Sequence, residues 1–257
     1  MRDPEPNSVP STQYSVLSTD KPAYVRDMFT RIVDRYDLLN DLMTAGRHRY
    51  WKRVTVRAAE PGGTVALDLG TGTGDIAREL VRQGARRVIG GDFVPDMLVE
   101  ADRIARSRDI APETLTFTGA DAMALPFDDS SFDCVTNGFL VRNVEDAERA
   151  FCEMLRVLRP GGRVVCLEAA RRDGPIGRGL HLGFGVGARL LGRLVAGDAD
   201  AYSYLPNSAA AFASPPELAM TMRRAGFERI QYRTFGLGLI AIHRAWKPEG
   251  ESGGGDS

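Results

Sequence analysis

Three glycines alternate with threonines directly after a short apolar run of the sequence. The stretch "VALDLGTGTGDIA", residues 65–77, places the glycines two residues apart. Glycine lets a backbone turn sharply and approach a bound molecule closely, so this pattern is typical of a loop around a nucleotide or nucleoside. The candidate residues of this loop are Asp68, Gly70, Thr71, Gly72, Thr73 and Gly74.

Further candidate residues follow later apolar runs. Asp92 ends the stretch "RRVIGGD", where an acidic side chain suits the diol of a ribose. Asp121 in "GADAMALPFDD" offers a carboxylate to an adenine amino group, and Ala122 leaves room for a flat base. Phe93 and Gly138 complete the predicted ligand site. The glycines and Asp92 alone fit both a nicotinamide dinucleotide and S-adenosylmethionine, whereas Asp121 and Ala122 shift the balance towards S-adenosylmethionine.

The glycine spacing and one acidic residue separate these two ligands. The pattern is G-x-G-x-G rather than G-x-G-x-x-G, and Asp75 stands at the start of the helix that follows. A carboxylate there would repel a pyrophosphate at the helix N-terminus, whereas it would not repel a ligand that carries sulfonium and ammonium groups. The local charge therefore favours S-adenosylmethionine, and no metal site is expected.

These residues need a sheet edge that brings them together. Apolar runs typical of buried parallel strands alternate with stretches that repeat apolar residues at helical spacing. The alternation predicts an α/β fold, a Rossmann-like doubly wound and mostly parallel sheet with an antiparallel C-terminal edge strand. Ligands of such sheets bind beyond the carboxyl ends of the strands. Strands are predicted over 64–70, 86–92, 114–121, 131–139 and 163–169, and helices over 74–84, 95–108, 145–158 and 215–226.

The composition limits the class of protein. The chain has 257 residues, 43% of them hydrophobic, and a net charge of −1, which fits a folded domain and gives no overall attraction for nucleic acid. We expect a single domain over 22–248, with a helical cap at 22–58 and a substrate-side insertion at 170–214. Residues 1–21 and 249–257 are expected to be disordered tails. No signal peptide or membrane-spanning run is expected, which favours a cytoplasmic protein.

The cysteines support an intracellular location. Cys134, Cys152 and Cys166 are an odd number, no two of them are close in sequence, and each lies in or beside an apolar run. This pattern predicts reduced cysteines in the core and a reducing compartment.

Together with "MLRVLRPGGRVV", the features above resemble a class I S-adenosylmethionine-dependent methyltransferase over about residues 64–168. The flanking segments are similar to the ubiquinone/menaquinone biosynthesis C-methyltransferase (UbiE/MenG) family. The similar stretches are "MFTRIVDRYDLLNDLMTAGRHRYWKR", "FLVRNVEDAERAFCEMLRVLRPGG", "GDADAYSYLPNSAAAFASPPELAMTMRRAGF" and "IAIHRAWKP". The resemblance extends from about residue 22 to residue 248 and implies S-adenosylmethionine as the methyl donor.

This resemblance implies methyl transfer to a ring carbon of a reduced prenylated quinone, demethylmenaquinol or a related quinol, in respiratory quinone biosynthesis. Arg142 and Asn143 follow the fourth predicted strand and are expected to bind and polarise the quinol oxygen. His243 is the candidate proton acceptor, since the pKa of histidine suits that task, and packing in the core is its alternative role. Tyr36 and Tyr204 are expected to line the substrate pocket.

Three departures from the family pattern lie near the predicted substrate side. Leu140 stands where the family usually has glycine, "EAARRDGP" stands in place of Glu-Phe-Ser-Lys-Pro, and Ala213 and Ser214 stand in place of a Phe-Pro pair. They leave open an acceptor other than a quinol, such as another small aromatic compound or a secondary metabolite. A salt bridge to Glu145 is the alternative role for Arg142.

The partners of the protein follow from the same features. Within 176–202, four apolar residues share a predicted helical face and two arginines point away, so this segment could lie in a membrane interface on the inner side. Its alternatives are packing on the domain or at the seam of a homodimer. The basic stretch "RHRYWKRVTVR" is too short to predict a nucleic-acid partner. A dehydrogenase and a non-catalytic binding protein with the same fold are the competing hypotheses from other classes.

Overall fold

The computed structural model describes residues 21–33, 36–175, 177, 179–180, 183, 208–209 and 211–250. Its strands are β1 (Val65–Leu69), β2 (Arg87–Asp92), β3 (Leu115–Gly119), β4 (Phe132–Gly138), β5 (Leu158–Ala169), β6 (Glu228–Phe235) and β7 (Ile240–Trp246). Its helices are α1 (Lys21–Ile32), α2 (Tyr36–Thr44), α3 (Arg47–Ala59), α4 (Asp75–Arg82), α5 (Pro95–Arg106), α6 (Ala147–Val157) and α7 (Pro215–Arg224).

The strands form one sheet of order β3-β2-β1-β4-β5-β7-β6. Strands β1 to β5 are parallel to one another, whereas β7 runs antiparallel to both β5 and β6. The predicted doubly wound, mostly parallel sheet is therefore confirmed, and β7 lies between β5 and the edge strand β6. The chain reverses its direction across the sheet at β1, so the carboxyl ends of β1 and β4 border the crevice where ligands of such folds bind.

Helices cover both faces of the sheet and explain why its central strands are apolar on both sides. One buried cluster joins α3 and α4 to the sheet through residues such as Trp51, Val56 and Leu80. The other joins α6 and α7 to the opposite face through residues such as Phe151 and Met222. Two-sided burial of this kind is typical of parallel sheets.

The fifth strand is longer than its sequence predicts. It begins at Leu158, directly after α6, and includes Pro160–Gly161–Gly162, which lie between the predicted helix at 145–158 and the predicted strand at 163–169. Leu158 pairs with Phe132, and the register shifts before Arg163 pairs with Cys134. Gly161 has a left-handed φ of 73°, so the irregularity is absorbed by a residue without a side chain.

The N-terminal part of the domain is helical, as predicted, since α1, α2 and α3 all lie within residues 21–59. Most of the insertion at 170–214, with its predicted amphipathic helix in 176–202, lies outside the described residues. None of the helices in the described part of the chain has both the length and the apolar content needed to cross a bilayer.

The cysteines agree only partly with the sequence-based expectation. All three are free thiols, and Cys134 and Cys166 are buried in β4 and β5. The core position expected for Cys152 is wrong, because this residue lies on the exposed side of α6.

A buried carboxyl group connects β1 to β4 and to the glycine loop. Asp68 accepts hydrogen bonds from the hydroxyl of Thr71 at 2.7 Å and from that of Thr136 at 2.9 Å. Burial raises the pKa of Asp68 to about 7, against the lowering effect of these hydroxyl donors. The carboxyl group is thus a fixed part of the sheet edge rather than a solvated acid.

This shifted pKa predicts a pH dependence of stability. Asp68 binds its proton more tightly in the folded chain than in the unfolded chain, so its contribution to the free energy of unfolding should fall as pH rises from about 4 to about 7. The loss should be at most about 4 kcal/mol, at 1.36 kcal/mol per pKa unit. Urea denaturation of the parent and of Asp68→Asn at a series of pH values gives a curve of unfolding free energy against pH for each protein. The difference between the two curves measures the contribution of Asp68.

The Asp68→Asn variant should lose less stability than the parent protein over this pH range. Asp128→Asn, at an exposed position, is the matched control and should follow the parent curve. Parallel curves for the parent and Asp68→Asn would contradict the prediction.

Candidate functional site

A cavity of about 280 Å³ lies at the carboxyl ends of β1, β2 and β4. Among the described residues, three carboxylates line it, those of Asp92, Asp121 and Glu145, against one guanidinium, that of Arg26 on α1. We call it the carboxylate cavity. Its excess of negative charge suits a cationic ligand and disfavours a pyrophosphate.

The glycine loop and Asp92 form one wall of this cavity. Gly70 and Gly72 line it, with left-handed φ values of 65° and 54°. The Asp92 carboxylate accepts hydrogen bonds from the backbone N–H of Gly72 at 2.8 Å and of Val94 at 3.0 Å. These bonds hold the carboxylate at the place predicted for a ribose contact.

The other predicted contacts also meet in the carboxylate cavity. Phe93, Asp121, Ala122 and Gly138 all line it. The Asp121 carboxylate accepts a hydrogen bond from the N–H of Met123 at 2.9 Å, which orients the exposed side chain. Arg26 lies over the Phe93 ring, 5.5 Å from its centroid, so α1 closes the cavity from above.

Four of the predicted ligand residues lie behind the wall of the cavity. Asp68, Thr71, Thr73 and Gly74 are buried, and none of them lines the cavity. Thr71 donates to Asp68, and its backbone N–H donates to the carbonyl of Gly91 at 3.0 Å. The structure therefore gives Asp68 and Thr71 the role of holding the glycine loop in place.

The expected role of Asp75 is wrong. Its side chain faces away from the carboxylate cavity and accepts hydrogen bonds from Lys52 on α3 at 2.8 Å and from Arg78 at 2.5 Å. Although burial alone would raise it, the two cations hold the pKa of Asp75 at about 2. Its charge is thus neutralised by these partners, and the negative character of the cavity comes from the other carboxylates.

A second cavity of about 390 Å³ lies between the helical cap and the carboxyl end of β5. Most of its lining is apolar, and Arg47 and Arg142 are the charged residues in its described lining. We call it the apolar cavity. Its apolar lining residues, besides glycine, are Phe29, Leu42, Met43, Ala45, Trp51, Phe139, Ala169, Ala209, Leu239 and Ile240.

Two aromatic residues belong to both cavities. Phe29 on α1 and Phe139 after β4 line the carboxylate cavity and the apolar cavity alike. Phe139 has a left-handed φ of 59°, which is a rare conformation for a bulky residue and is held by its surroundings. Its N–H donates to the carbonyl of Leu167 at 2.7 Å, and its own carbonyl accepts from the amide of Asn143 at 3.0 Å.

Arg142 reaches the apolar cavity with a buried partner. Its guanidinium is ion-paired with the carboxylate of Glu168, and both side chains are buried. Glu168 also accepts hydrogen bonds from the backbone N–H of Arg142 at 3.3 Å and of Ala169 at 2.8 Å. The predicted alternative partner, Glu145, lines the carboxylate cavity instead.

The sequence analysis missed Glu168 as a site residue. The signal was available, because a carboxylate at the end of the apolar run "RVVCLEA" must find a partner once the strand is buried. The identity of that partner follows only from the pairing of β4 with β5.

The other predicted catalytic and substrate residues are placed differently. Asn143 lines the carboxylate cavity, not the apolar cavity, and its amide holds the turn after β4. Tyr36 is the first residue of α2, a helix that borders the apolar cavity through Leu42 and Met43. Tyr204 lies outside the described residues.

His243 is not brought to either cavity. It is fully buried on β7, and its Nε2 lies 2.9 Å from the carbonyl oxygen of Pro215 on α7. Burial lowers the pKa of His243, against the raising effect of this hydrogen bond. Tyr232 packs on its ring, with 5.2 Å between the ring centroids. This placement favours the alternative of a core histidine that anchors α7 to the sheet.

Two solved structures of methyltransferases have a related fold. A protein from Thermotoga maritima, described as an S-adenosylmethionine-dependent methyltransferase and possible histamine N-methyltransferase, superposes with a TM-score of 0.62 at 22% identity, covering 86% of this chain and 98% of that chain. A phosphoethanolamine N-methyltransferase of Haemonchus contortus, solved with S-adenosyl-L-methionine, gives a TM-score of 0.59 at 16% identity, covering 86% of this chain and 60% of that chain. These similarities establish the fold.

Sequence comparison identifies the family. A demethylmenaquinone methyltransferase of Roseiflexus castenholzii is 46% identical over 231 residues, covering 88% of this chain and 94% of that protein. The ubiquinone/menaquinone biosynthesis C-methyltransferase UbiE of Desulfotalea psychrophila is 43% identical over 222 residues, covering 85% and 88%. The profile of the ubiE/COQ5 methyltransferase family matches residues 17–247. The chain therefore belongs to the ubiE/COQ5 methyltransferase family.

Proposed function

We propose that this methyltransferase transfers a methyl group from S-adenosylmethionine to a ring carbon of a reduced prenylated quinone, in respiratory quinone biosynthesis. One observation carries the proposal: a carboxylate-lined cavity and an apolar cavity adjoin each other, since both are lined by Phe29 and Phe139. A charged methyl donor and an aromatic acceptor can therefore bind on two sides of one wall. The names of the relatives from Roseiflexus and Desulfotalea support a quinone as the acceptor.

The residues of the carboxylate cavity fit the donor. Asp92 would hold the ribose diol, Asp121 and Ala122 the adenine, and Gly70 and Gly72 the methionine part. The bound donor supplies an electrophilic methyl group on a sulfonium. Holding donor and acceptor in line removes roughly 7–11 kcal/mol of the barrier in well-oriented reactions, so positioning is the main task of the protein.

Arg142 supplies the polar group that the acceptor needs. A quinol oxygen that loses its proton, fully or in part, pushes electron density into the ring and makes the ring carbon more nucleophilic. The guanidinium of Arg142 stays protonated and can stabilise that oxygen, since it lines the mostly apolar cavity. The carboxylate of Glu168 fixes the orientation of the guanidinium, which makes Glu168 a positioning residue.

Methyl transfer is tested with the purified protein, labelled S-adenosylmethionine and a reduced demethylated quinone. We expect labelled product in which one ring carbon carries the new methyl group, identified by mass spectrometry and NMR. The oxidised quinone is the control and should give no product, because its carbonyl groups withdraw electron density from the ring. Label on an oxygen or nitrogen atom of an alternative acceptor, with none on the quinol, would contradict the proposal.

Donor binding is tested by calorimetry with S-adenosylhomocysteine. Asp92→Asn should weaken binding about tenfold to a hundredfold, since hydrogen bonds to a charged group contribute roughly 1.5–3 kcal/mol. Asp96→Asn, at an exposed position in the first turn of α5, is the matched control. Binding of NADH in place of S-adenosylhomocysteine, or equal affinity of both variants, would count against the assigned donor site.

The Arg142–Glu168 pair is tested by stability and turnover together. Glu168→Gln should lower the free energy of unfolding by about 3 kcal/mol and kcat at least about tenfold, because it leaves a buried guanidinium without its counter-charge. Donor affinity should stay unchanged. The double variant R142Q/E168Q should regain much of the stability and none of the activity.

A surface pair provides the control for this experiment. Asp102 pairs with Arg106 on α5 in an exposed position, so Asp102→Asn should cost no more than about 0.5 kcal/mol. Full turnover in R142Q/E168Q would show that the pair serves packing alone.

A further inference from the structure

Polar side chains line the apolar cavity from two different parts of the chain. Arg142 follows β4 on the side of the sheet, whereas Asn40 and Thr44 on α2 and Arg47 at the start of α3 belong to the helical cap. A reduced quinone carries two oxygens on opposite sides of its ring. Each of them needs a hydrogen-bond partner once a mostly apolar cavity removes it from water. Arg142 can bind one oxygen, which leaves the other to the cap.

Two of the three cap residues are poorly suited to the second oxygen. The Thr44 hydroxyl donates to the carbonyl of Asn40 at 2.6 Å, accepts from the backbone N–H of His48 at 3.2 Å, and lies 3.0 Å from Nδ1 of that histidine. Its hydrogen-bonding capacity is therefore used within the cap. Arg47 is exposed, so water screens its charge and competes for its guanidinium.

The side-chain amide of Asn40 is the remaining polar group of the cap. The residue is half-buried, its backbone carbonyl accepts from Thr44, and its amide has no hydrogen-bond partner among the described residues. Asparagine is a weak helix former, and this one stands in the middle of α2. A polar side chain that weakens its own helix and pairs with no neighbour is better explained by a ligand in the cavity that it lines.

We infer that Asn40 binds the second oxygen of the quinol ring, the one para to the oxygen bound by Arg142. The inference rests on the proposed function, to which it adds a second polar contact with the acceptor. The amide of Asn40 can donate to this oxygen and can also accept the proton of its hydroxyl. A neutral amide stabilises an oxyanion less than a guanidinium does, so the oxygen that loses its proton is the one at Arg142.

This assignment makes Asn40 a residue that binds and orients the acceptor. The carbon that receives the methyl group is next to the oxygen at Arg142 and meta to the oxygen at Asn40. Resonance from a meta oxygen does not reach that carbon, so the Asn40 contact stabilises the bound acceptor and the transition state equally. Its loss should therefore raise KM and leave kcat almost unchanged, unlike the loss of Glu168.

The first test compares a short-tailed demethylated quinol with a matching phenol, which keeps the oxygen next to the reacting carbon and lacks the other. Asn40→Leu should raise KM for the quinol roughly fivefold to tenfold and keep kcat within about twofold, because it removes one neutral hydrogen bond. For the phenol, KM should be the same in both proteins; where turnover is too slow, the inhibition constant replaces KM. Leucine is the better helix former, so the variant should remain folded.

The second test measures binding without turnover, through the fluorescence of Trp51 in the apolar cavity. Trp246→Phe removes the other tryptophan of the chain, which lies outside the described lining of both cavities. Quinones quench tryptophan fluorescence, so titration of this variant with the oxidised demethylated quinone gives a dissociation constant. Adding Asn40→Leu should raise that constant roughly fivefold, because no amide then donates to the second carbonyl.

Two further variants serve as controls. Gln231→Leu removes an exposed amide from β6, away from the described lining of both cavities, and should behave like the parent protein in both tests. Arg47→Gln should change KM for quinol and phenol by the same factor. An equal rise of KM for the two acceptors in Asn40→Leu, or unchanged quinone binding, would overturn the inference. So would a loss of discrimination between the acceptors in Arg47→Gln and not in Asn40→Leu.

The two measurements separate this inference from the proposed function. Quinone binding that Asn40→Leu weakens, combined with no methyl transfer to any quinol, would refute the proposed function and leave Asn40 as a contact of the ring oxygen. Methyl transfer to the quinol with an unchanged KM in Asn40→Leu would refute the inference and leave the proposed function standing. Absence of quinone binding by the parent protein would overturn both.

Discussion

The buried carboxyl group of Asp68 holds together the two chain segments on which the site depends. It accepts from Thr71, which follows the first glycine of the loop, and from Thr136 on β4, its partner in the sheet register. The loop after β1 borders the carboxylate cavity, and the turn after β4 provides the wall to the apolar cavity. A group that fixes the spacing of these two segments also fixes the position of the carboxylate cavity relative to the apolar cavity.

The charges of the site are divided according to what each cavity must bind. The carboxylates of Asp92, Asp121 and Glu145 give their cavity a negative character, whereas Arg142 enters the apolar cavity already paired with Glu168. A buried cation without a partner would destabilise the fold by several kcal/mol. A fully solvated cation would attract an oxyanion only weakly, because water screens the two charges. The paired arginine avoids both, and it still lines the apolar cavity.

The sequence predicts those parts of the protein that local pattern determines. Apolar runs and turn residues predict where the strands lie and that most of them are parallel. The positions of Asp92, Asp121 and Gly70 at the ends of strands predict that these residues meet at one cavity. What depends on a distant contact was missed or misjudged. Asp75 looks like a free acid at a helix start, but Lys52 arrives from the cap to neutralise it. Glu168 finds Arg142 only through the β4–β5 pairing.

The departures from the family pattern have structural partners of their own. The Leu140 side chain lies against Gly70, where an added Cβ would be only 3.0 Å from it, so this residue shapes the carboxylate cavity and not the apolar cavity. Arg171, in the altered stretch after β5, donates to both carboxylate oxygens of Glu217 at 2.8 Å. Glu217 in turn accepts from the backbone N–H and the hydroxyl of Ser214 at 2.7 and 2.9 Å.

These two substitutions therefore act together, since Arg171 and Ser214 share one carboxylate at the start of α7. A serine at this helix start supplies the donors that a proline would lack. The altered segments thus attach α7 to the sheet through a different set of contacts. The carboxylates, the aromatic wall and the Arg142–Glu168 pair are untouched by these changes, which is why the departures are compatible with the chemistry of the family.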